Sequence, residues 1–288
     1  MDKLLSVLIE GLGTGGLYAV VALGLSLVAG VMRLLNLAHG EFLVGSVYLI
    51  MTLMAFAGLD PFLAMVGALP VVFIAAYVIQ RALLQDLMAH SADAVLVGTF
   101  GISIAAQAIF QIAFGSNAVA ITSLLGLTGV EILGHTTRWV SVVAITLALG
   151  LTAATHFLLT RSTFGWSLRA AAEDSMAAQS LGVDVRHVFA LCFGLGAVLT
   201  SFGAIVVGIG FSIEPSSGML WLMRGVAVVV IGGMGSVWGT LLAGCMVGLV
   251  EEASVVIVGS EYRDIVVFGL LVLVLVLRPN GLFRGNAA

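Results

Sequence analysis

Arg33, Asn36, His39 and Glu41 are gathered in the stretch RLLNLAHGEF (residues 33–42), and long apolar runs lie on both sides of it. Side chains of these types inside apolar sequence can do two kinds of work. They can satisfy the N–H and C=O groups that a broken helix leaves open, with Asn36 capping the break and Gly40 taking a left-handed conformation. They can also face a polar solute, with His39 and Glu41 as the contacting groups. Bracing is the simpler of the two. A second unusual charge is Arg224, set in MLWLMRGVAVVV. An arginine inside an apolar helix is costly and marks a function. It would attract a carboxylate, pair with Glu41 or another acid, or snorkel outward near Glu214. The GGMGS run adds Gly232, Gly233 and Gly235. These glycines either expose backbone to a passing solute or permit a tight hairpin. Glu251 and Glu252 are expected at a helix end, at an interface.

Other chemistries are missing. Lys3 is the single lysine, so no phosphate-binding Gly-x-x-x-x-Gly-Lys loop exists. Neither a His-Glu-x-x-His pair nor a Gly-x-Ser-x-Gly elbow occurs, and the five histidines (39, 90, 135, 156, 187) are scattered. No catalytic residue, metal site or cofactor is expected. Cys192 and Cys245 both lie in apolar runs and read as small core residues. The net charge of −4 comes with no basic patch, so no nucleic-acid partner is expected.

The elements that must position these residues follow from composition. Of 288 residues, 61% are hydrophobic and 9% charged, against about 25% charged in soluble domains. A chain this apolar needs lipid around it. The apolar runs are 11–32, 42–58, 62–80, 94–114, 138–160, 188–212, 219–234, 237–251 and 264–278. They are continuous rather than alternating, which argues against a β-barrel. At roughly 20 residues per span, the expected fold is all-α: a polytopic bundle of about eight to nine spans with broken or re-entrant helices, in a single domain over 1–288. The first segment, residues 4–31, carries Glu10 and no clean cleavage site, so it reads as a retained span. Runs 219–234 and 237–251 are short and read as two tilted spans or two half-helices. Residues 17–50 and 219–252 share one layout, a glycine-rich run interrupted in its middle, as in transporters whose broken helices surround a substrate path. Two ordinary hairpins would give the same spacing.

Positive residues orient the chain. Arg81, Arg161, Arg169, Arg186, Arg278 and Arg284 flank segments expected to be cytoplasmic. The C-terminus is then inside and, with nine crossings, the N-terminus outside. Segment 115–137 reads as the outer side, with GVEILGH as a short strand or turn. The longest charged inner segment is 161–188, where LRAAAEDSMAAQSLG predicts one surface helix that stops at Gly182.

Within that segment MAAQSLG (Met176–Gly182) resembles the Glu-Ala-Ala-x-x-x-Gly signature of bacterial ABC importer permeases, with Met176 in place of the glutamate. NLAHGEF (36–42), RAAAEDSMAAQSLGVDV (169–185), VVVIGGMGSVWGTLLAG (228–244) and LRPNGLF (277–283) look like the branched-chain amino acid ABC transporter permeases, in their shorter form. The resemblance implies an importer in the bacterial inner membrane. Its parts are a pair of related permeases, two ATPase subunits and an extracytoplasmic solute-binding protein. A heterodimer of permeases is expected over a homodimer. The resemblance also implies a coupling loop at 161–187 that docks on an ATPase through Glu173, Asp174, Ala177, Ala178, Gly182 and Asp184, and a path near Asn36, His39, Glu41, Arg224, Gly232, Gly233 and Gly235. ATP hydrolysis would belong to the partners, and the path would open by alternating access. Urea, short amides or aromatic acids are alternative solutes, and an ion-coupled carrier is the alternative class.

Overall fold

The computed structural model describes residues 2–123, 128–132 and 135–283. Arg284, and Leu133 and Gly134 of the GVEILGH stretch, lie outside the described residues. The chain is a helical bundle. Among the described residues, eight helices are long and apolar enough to cross a membrane: Leu5–Met32, His39–Ala57, Pro61–His90, Ala92–Phe114, Trp139–Arg161, Val185–Gly210, Pro215–Gly232 and Val237–Ile257. The ninth apolar run forms a shorter helix, Arg263–Leu277.

In chain order, α1 is Asp2–Met32 and α2 is His39–Ala57. Helix α3 (Pro61–Ile79) continues through a π-helical turn at Gln80–Leu84 into α4 (Gln85–His90), and α5 is Ala92–Phe114. A hairpin follows, β1 (Gly129–Ile132) antiparallel to β2 (His135–Arg138), with Val130 opposite Thr137. Then come α6 (Trp139–Arg161), α7 (Thr163–Glu173), α8 (Ser175–Ser180), α9 (Val185–Gly210), α10 (Gly218–Gly232), α11 (Val237–Ile257) and α12 (Arg263–Leu277).

The bundle has two distinct ends. Thr137 Oγ1 in the hairpin donates to Glu10 Oε1 on α1 at 2.8 Å, which ties the start of α1 to the hairpin end. At the opposite end Met32, Leu168, Ala171, Ala178 and Val185 share one apolar cluster, so α1 finishes beside α7 and α8. We call this the loop-helix end.

Helix α1 lies at the centre and packs on α6, α9, α10 and α11. Its small residues allow this. Gly11, Gly15 and Ala19 recur every fourth position and face Gly244 and Gly248 of α11. A Cβ on Gly15 would stand 2.6 Å from Cys245 Cα and 2.7 Å from the Gly244 carbonyl oxygen, and one on Gly244 would stand 2.8 Å from Ala19 Cβ. Apolar helices gain little from hydrophobic burial in lipid, so close backbone approach and dispersion hold them together.

Helices α2 and α10 both begin inside the bundle. His39, the first residue of α2, meets Thr200 in the middle of α9. A Cβ on Gly40 would strike Gly218, the first residue of α10. Helix α10 has only 15 residues, about 22 Å at 1.5 Å per residue, less than the ~30 Å hydrocarbon thickness. Its approach is an irregular return over 211–217. That return is fixed by a two-way bridge of Val119 with Ile213 (2.9 and 2.8 Å) and by Ile121 N–H donating to the Gly208 carbonyl at 2.7 Å. Helix α11, by contrast, is 21 residues long and continues past the expected end at 251 to Ile257. It is not a half-helix.

Over-packing the α1–α11 contact tests the central position of α1. Gly15→Leu or Gly244→Leu is expected to lower the melting temperature and monodisperse yield of the detergent-solubilised protein, at a cost of about 1–3 kcal/mol. Gly150→Leu on the exposed face of α6, where a Cβ would meet nothing within 4 Å, is expected to change neither.

Candidate functional site

The break at 33–38 is the first polar cluster. Helix α1 ends when Arg33 turns to φ 52°, and Arg33 is the sole non-glycine residue with positive φ among the described residues. The left-handed position is therefore Arg33, not Gly40, which lies inside α2. What Gly40 supplies is room for Gly218. Nor does Asn36 cap α2 directly. The N-cap is Ala38, and Asn36 Oδ1 accepts from the Ala38 N–H at 3.0 Å while the Asn36 carbonyl accepts from His39 N–H at 3.2 Å. Leu37 N–H donates to Thr99 Oγ1 at 3.2 Å. The freed backbone thus finds partners from its own side chains and from α5.

His39 and Glu41 are both buried, and they point to different helices. His39 Nε2 shares a hydrogen bond of 2.7 Å with Thr200 Oγ1 of α9. Glu41 Oε1 accepts from Ser103 Oγ at 2.9 Å and from Gln107 Nε2 at 3.0 Å, both on α5. Its carboxylate also lies against Gly218, where a Cβ would stand 2.8 Å from Oε2. Glu41 is thus in the first turn of α2 and beside the N-terminus of α10. Both helix dipoles present their positive ends to it. Oε2 has no hydrogen-bond partner.

Arg224 does not pair with Glu41. Its Nη2 donates to Asp264 Oδ1 of α12 at 3.0 Å, and its guanidinium carbon stands 5.6 Å from the ring centroids of both Tyr18 and Trp221. Behind these rings Tyr18 OH donates to Glu251 Oε1 at 3.0 Å. Arg263 reaches Glu251 Oε1 through Nε and Glu252 Oε1 through Nη2, both at 3.1 Å. Glu251 is therefore not at a helix end. It is a buried residue within α11, held from α1 and α12.

Gly233 (φ 91°) and Gly235 (φ 82°) form the turn between α10 and α11, where only glycine adopts such angles without strain. Gly232 packs on the backbone of Gly239. The two interruptions seen in the sequence meet here: a Cβ on Gly235 would lie 3.0 Å from Gly30 Cα, just before the break. Leu282 N–H closes over the turn by donating to the Ile231 carbonyl at 2.8 Å.

The 161–187 segment departs from the single helix expected. It breaks at Asp174, whose Oδ1 accepts from both Met176 and Ala177 N–H at 2.9 Å and so starts α8. Ala178 is buried, whereas Glu173 and Ala177 are exposed. Gly182 (φ 89°) ends α8 in a Schellman turn, with Gly182 N–H on the Gln179 carbonyl and Val183 N–H on the Ala178 carbonyl, both at 3.0 Å. Asp184 then caps α9 by accepting from His187 N–H at 3.0 Å.

Sequence reasoning missed Thr99, Ser103, Gln107, Thr200 and Asp264. A signal existed for three of them. Thr99, Ser103 and Gln107 recur every fourth residue in an otherwise apolar run, which puts them on one helix face. Thr200 and Asp264 carry no such pattern.

Removing the buried carboxylate takes the acceptor from the Ser103 hydroxyl and leaves Gln107 Nε2 with only a long bond of 3.4 Å to Ser103 Oγ. Glu41→Ala is expected to destabilise the protein by about 1–3 kcal/mol, read as a lowered melting temperature in detergent. Glu41→Gln keeps an acceptor oxygen and is expected to lose distinctly less.

Two cavities among the described residues are small, about 10 Å³ each, room for about one water. One is wholly apolar, around Phe62, Val140 and Ile205, and the other borders Asn36, Gln80 and Thr99. The path for any larger solute must therefore run outside them.

Residues 7–275 match the family described as branched-chain amino acid transport system / permease component. The chain is 32% identical to the high-affinity branched-chain amino acid transport system permease protein BraD of Pseudomonas aeruginosa, over 96% of this chain and 95% of that protein. It is 30% identical to the corresponding permease protein LivH of Escherichia coli, over 96% of this chain and 94% of the relative. The permease protein LivM of Escherichia coli is 31% identical over a shorter stretch, 43% of this chain and 29% of its own length. No solved structure matches. A family match across nearly all of a helical bundle whose polar residues brace broken helices leads to one conclusion: this chain is a membrane protein of the branched-chain amino acid transport permease family.

Proposed function

We propose that the chain, acting as one domain over 1–288, is the membrane-spanning subunit of an ATP-driven ABC importer for branched-chain or other hydrophobic amino acids. The observation that carries this is the surface of α8. Met176 is 78% exposed and Leu181 86% exposed, on a short helix fixed at both ends by Asp174 and Gly182 and anchored by buried Ala178. Large apolar side chains held rigidly in water suit docking into another protein. ATPase subunits are the partner that the family implies, with Glu173 beside the apolar contact. ATP-driven closure of two such subunits would push α7 and α8, and the bundle would open alternately to each side.

Arg33, Arg81, Arg161, Arg169, Arg186 and Arg278 belong to the loop-helix end of their helices, which supports a cytoplasmic placement of that end and of the C-terminus in the bacterial inner membrane. The hairpin end would then meet the extracytoplasmic binding protein. Because the apolar cavity at Phe62 and the one at Asn36 each hold about one water, we place the path between this chain and a second, related permease. The partial likeness to LivM supports a heterodimer. Asn36, His39 and Glu41 brace the re-entrant start of α2 in this reading, and Gly232, Gly233 and Gly235 let the two interruptions close on each other.

Co-purification tests the reading. The tagged chain, expressed with its neighbouring permease and ATPase candidates and extracted in mild detergent, is expected to bring down ATPase activity that loaded binding protein stimulates. Gly182→Pro removes both the N–H and the positive φ that end α8. Leu181→Asp places a charge on its exposed face. Each is expected to abolish stimulated ATPase activity while insertion and size-exclusion profile stay unchanged. Uptake by the lone chain on an ion gradient would instead establish the carrier alternative.

A further inference from the structure

Arg224 sits in the half of α10 nearer the hairpin end, and its side chain is 15% exposed. The rings of Tyr18 and Trp221 fix its guanidinium from two sides. The acids behind those rings have other partners: Glu251 holds Tyr18 OH, and Arg263 reaches both Glu251 and Glu252. Arg224 is left with Asp264. That carboxylate is 57% exposed and receives a single bond from Nη2. Asp264 thus leaves a largely buried guanidinium open on one side, where a ligand bearing both charges can reach the pair.

An open apolar surface adjoins the pair. Leu220, one turn before Arg224 on the same side of α10, is 46% exposed, and Met219 is 41% exposed. Met223 is half-buried between them. Methionine is unbranched and polarisable and adapts to aliphatic groups of different shape. A charged pair on such a face is costly against lipid and requires a wet space.

We propose that Arg224, Asp264 and the Met219–Leu220–Met223 surface form a binding station at the outer mouth of the path for a zwitterionic α-amino acid with an aliphatic side chain. The ligand carboxylate takes the guanidinium, where two parallel N–H donors suit it. Its ammonium takes Asp264, and its side chain lies along Leu220 and Met219. A solute lacking either charge loses one of the two polar contacts, and a charged side chain meets an apolar wall. The station rests on the importer reading above, deepening it by naming what the outer face recognises.

Thiol protection in the assembled transporter, reconstituted in liposomes, tests the proposal without relying on the selectivity of the binding protein. Leu220→Cys is treated with a membrane-impermeant thiol reagent. Leucine is expected to slow labelling roughly tenfold, as occupancy of a site at about ten times its Kd would. Leucine's deaminated analogue 4-methylpentanoate and its decarboxylated analogue 3-methylbutylamine, at the same concentration, are expected not to. Asp264→Asn in the same background is expected to remove the protection while labelling persists. Ser116→Cys, exposed just past the end of α5, serves as a site that leucine does not protect. If Leu220→Cys fails to give a monodisperse complex, Met219→Cys replaces it. A thiol at 220 that no reagent reaches, or one labelled equally with and without leucine, overturns the station. ATP-dependent leucine uptake by the unmodified transporter is measured in parallel. Its presence without protection sinks the station alone, and absence of ATP-dependent uptake of leucine and of every other branched-chain or hydrophobic amino acid sinks the importer reading.

Discussion

Backbone that leaves the helix inside an apolar phase must find its hydrogen bonds within the protein. The segment 33–38 imposes this requirement, and much of the bundle is arranged around meeting it. Asn36 folds back on Ala38, Thr99 receives Leu37, and His39 and Glu41 reach α9 and α5. Apart from Ala38, these partners lie on two helices distant in sequence, so the break can exist only where α5 and α9 flank it. Helix α5 in turn is mostly open to the surroundings, and its Thr99, Ser103 and Gln107 face is what joins it to the break.

The same economy of space governs the centre. Two helix starts, α2 and α10, can meet only because Gly40 and Gly218 leave room for each other's backbone. Their meeting creates a positive end that suits the Glu41 carboxylate. Gly30 and Gly235 do the equivalent at the loop-helix end. Close packing of small residues and buried hydrogen bonds therefore act together: without the first the second would not reach.

The two ends of the molecule differ in chemistry. The hairpin end concentrates Arg224, Arg263, Glu251, Glu252 and Asp264 around Tyr18 and Trp221. The loop-helix end carries short capped helices with exposed apolar residues, Met176 and Leu181. Under the importer function proposed above, solute entry at one face and a mechanical push at the other would make use of this asymmetry; both faces connect through α1, which touches the charge cluster with Tyr18 and the loop helices' core with Met32.

Composition and apolar run length were enough to give an all-helical membrane bundle, because spans of about 20 residues leave an unmistakable hydropathy pattern. The polar break at 33–42, the glycine turn at 232–236 and the stop at Gly182 were also visible, since each depends on residue types in local sequence. The Asp174 break was not read out, because a helix-forming run around it hides an N-cap that only backbone geometry reveals. Which acid Arg224 takes was decided in three dimensions: Asp264 lies forty residues away and reaches it only because α12 packs beside α10. The same holds for Glu41, whose partners sit on α5. Periodicity reports which face a residue occupies, but the identity of the helix across from that face is a matter of packing, and tertiary structure alone sets it.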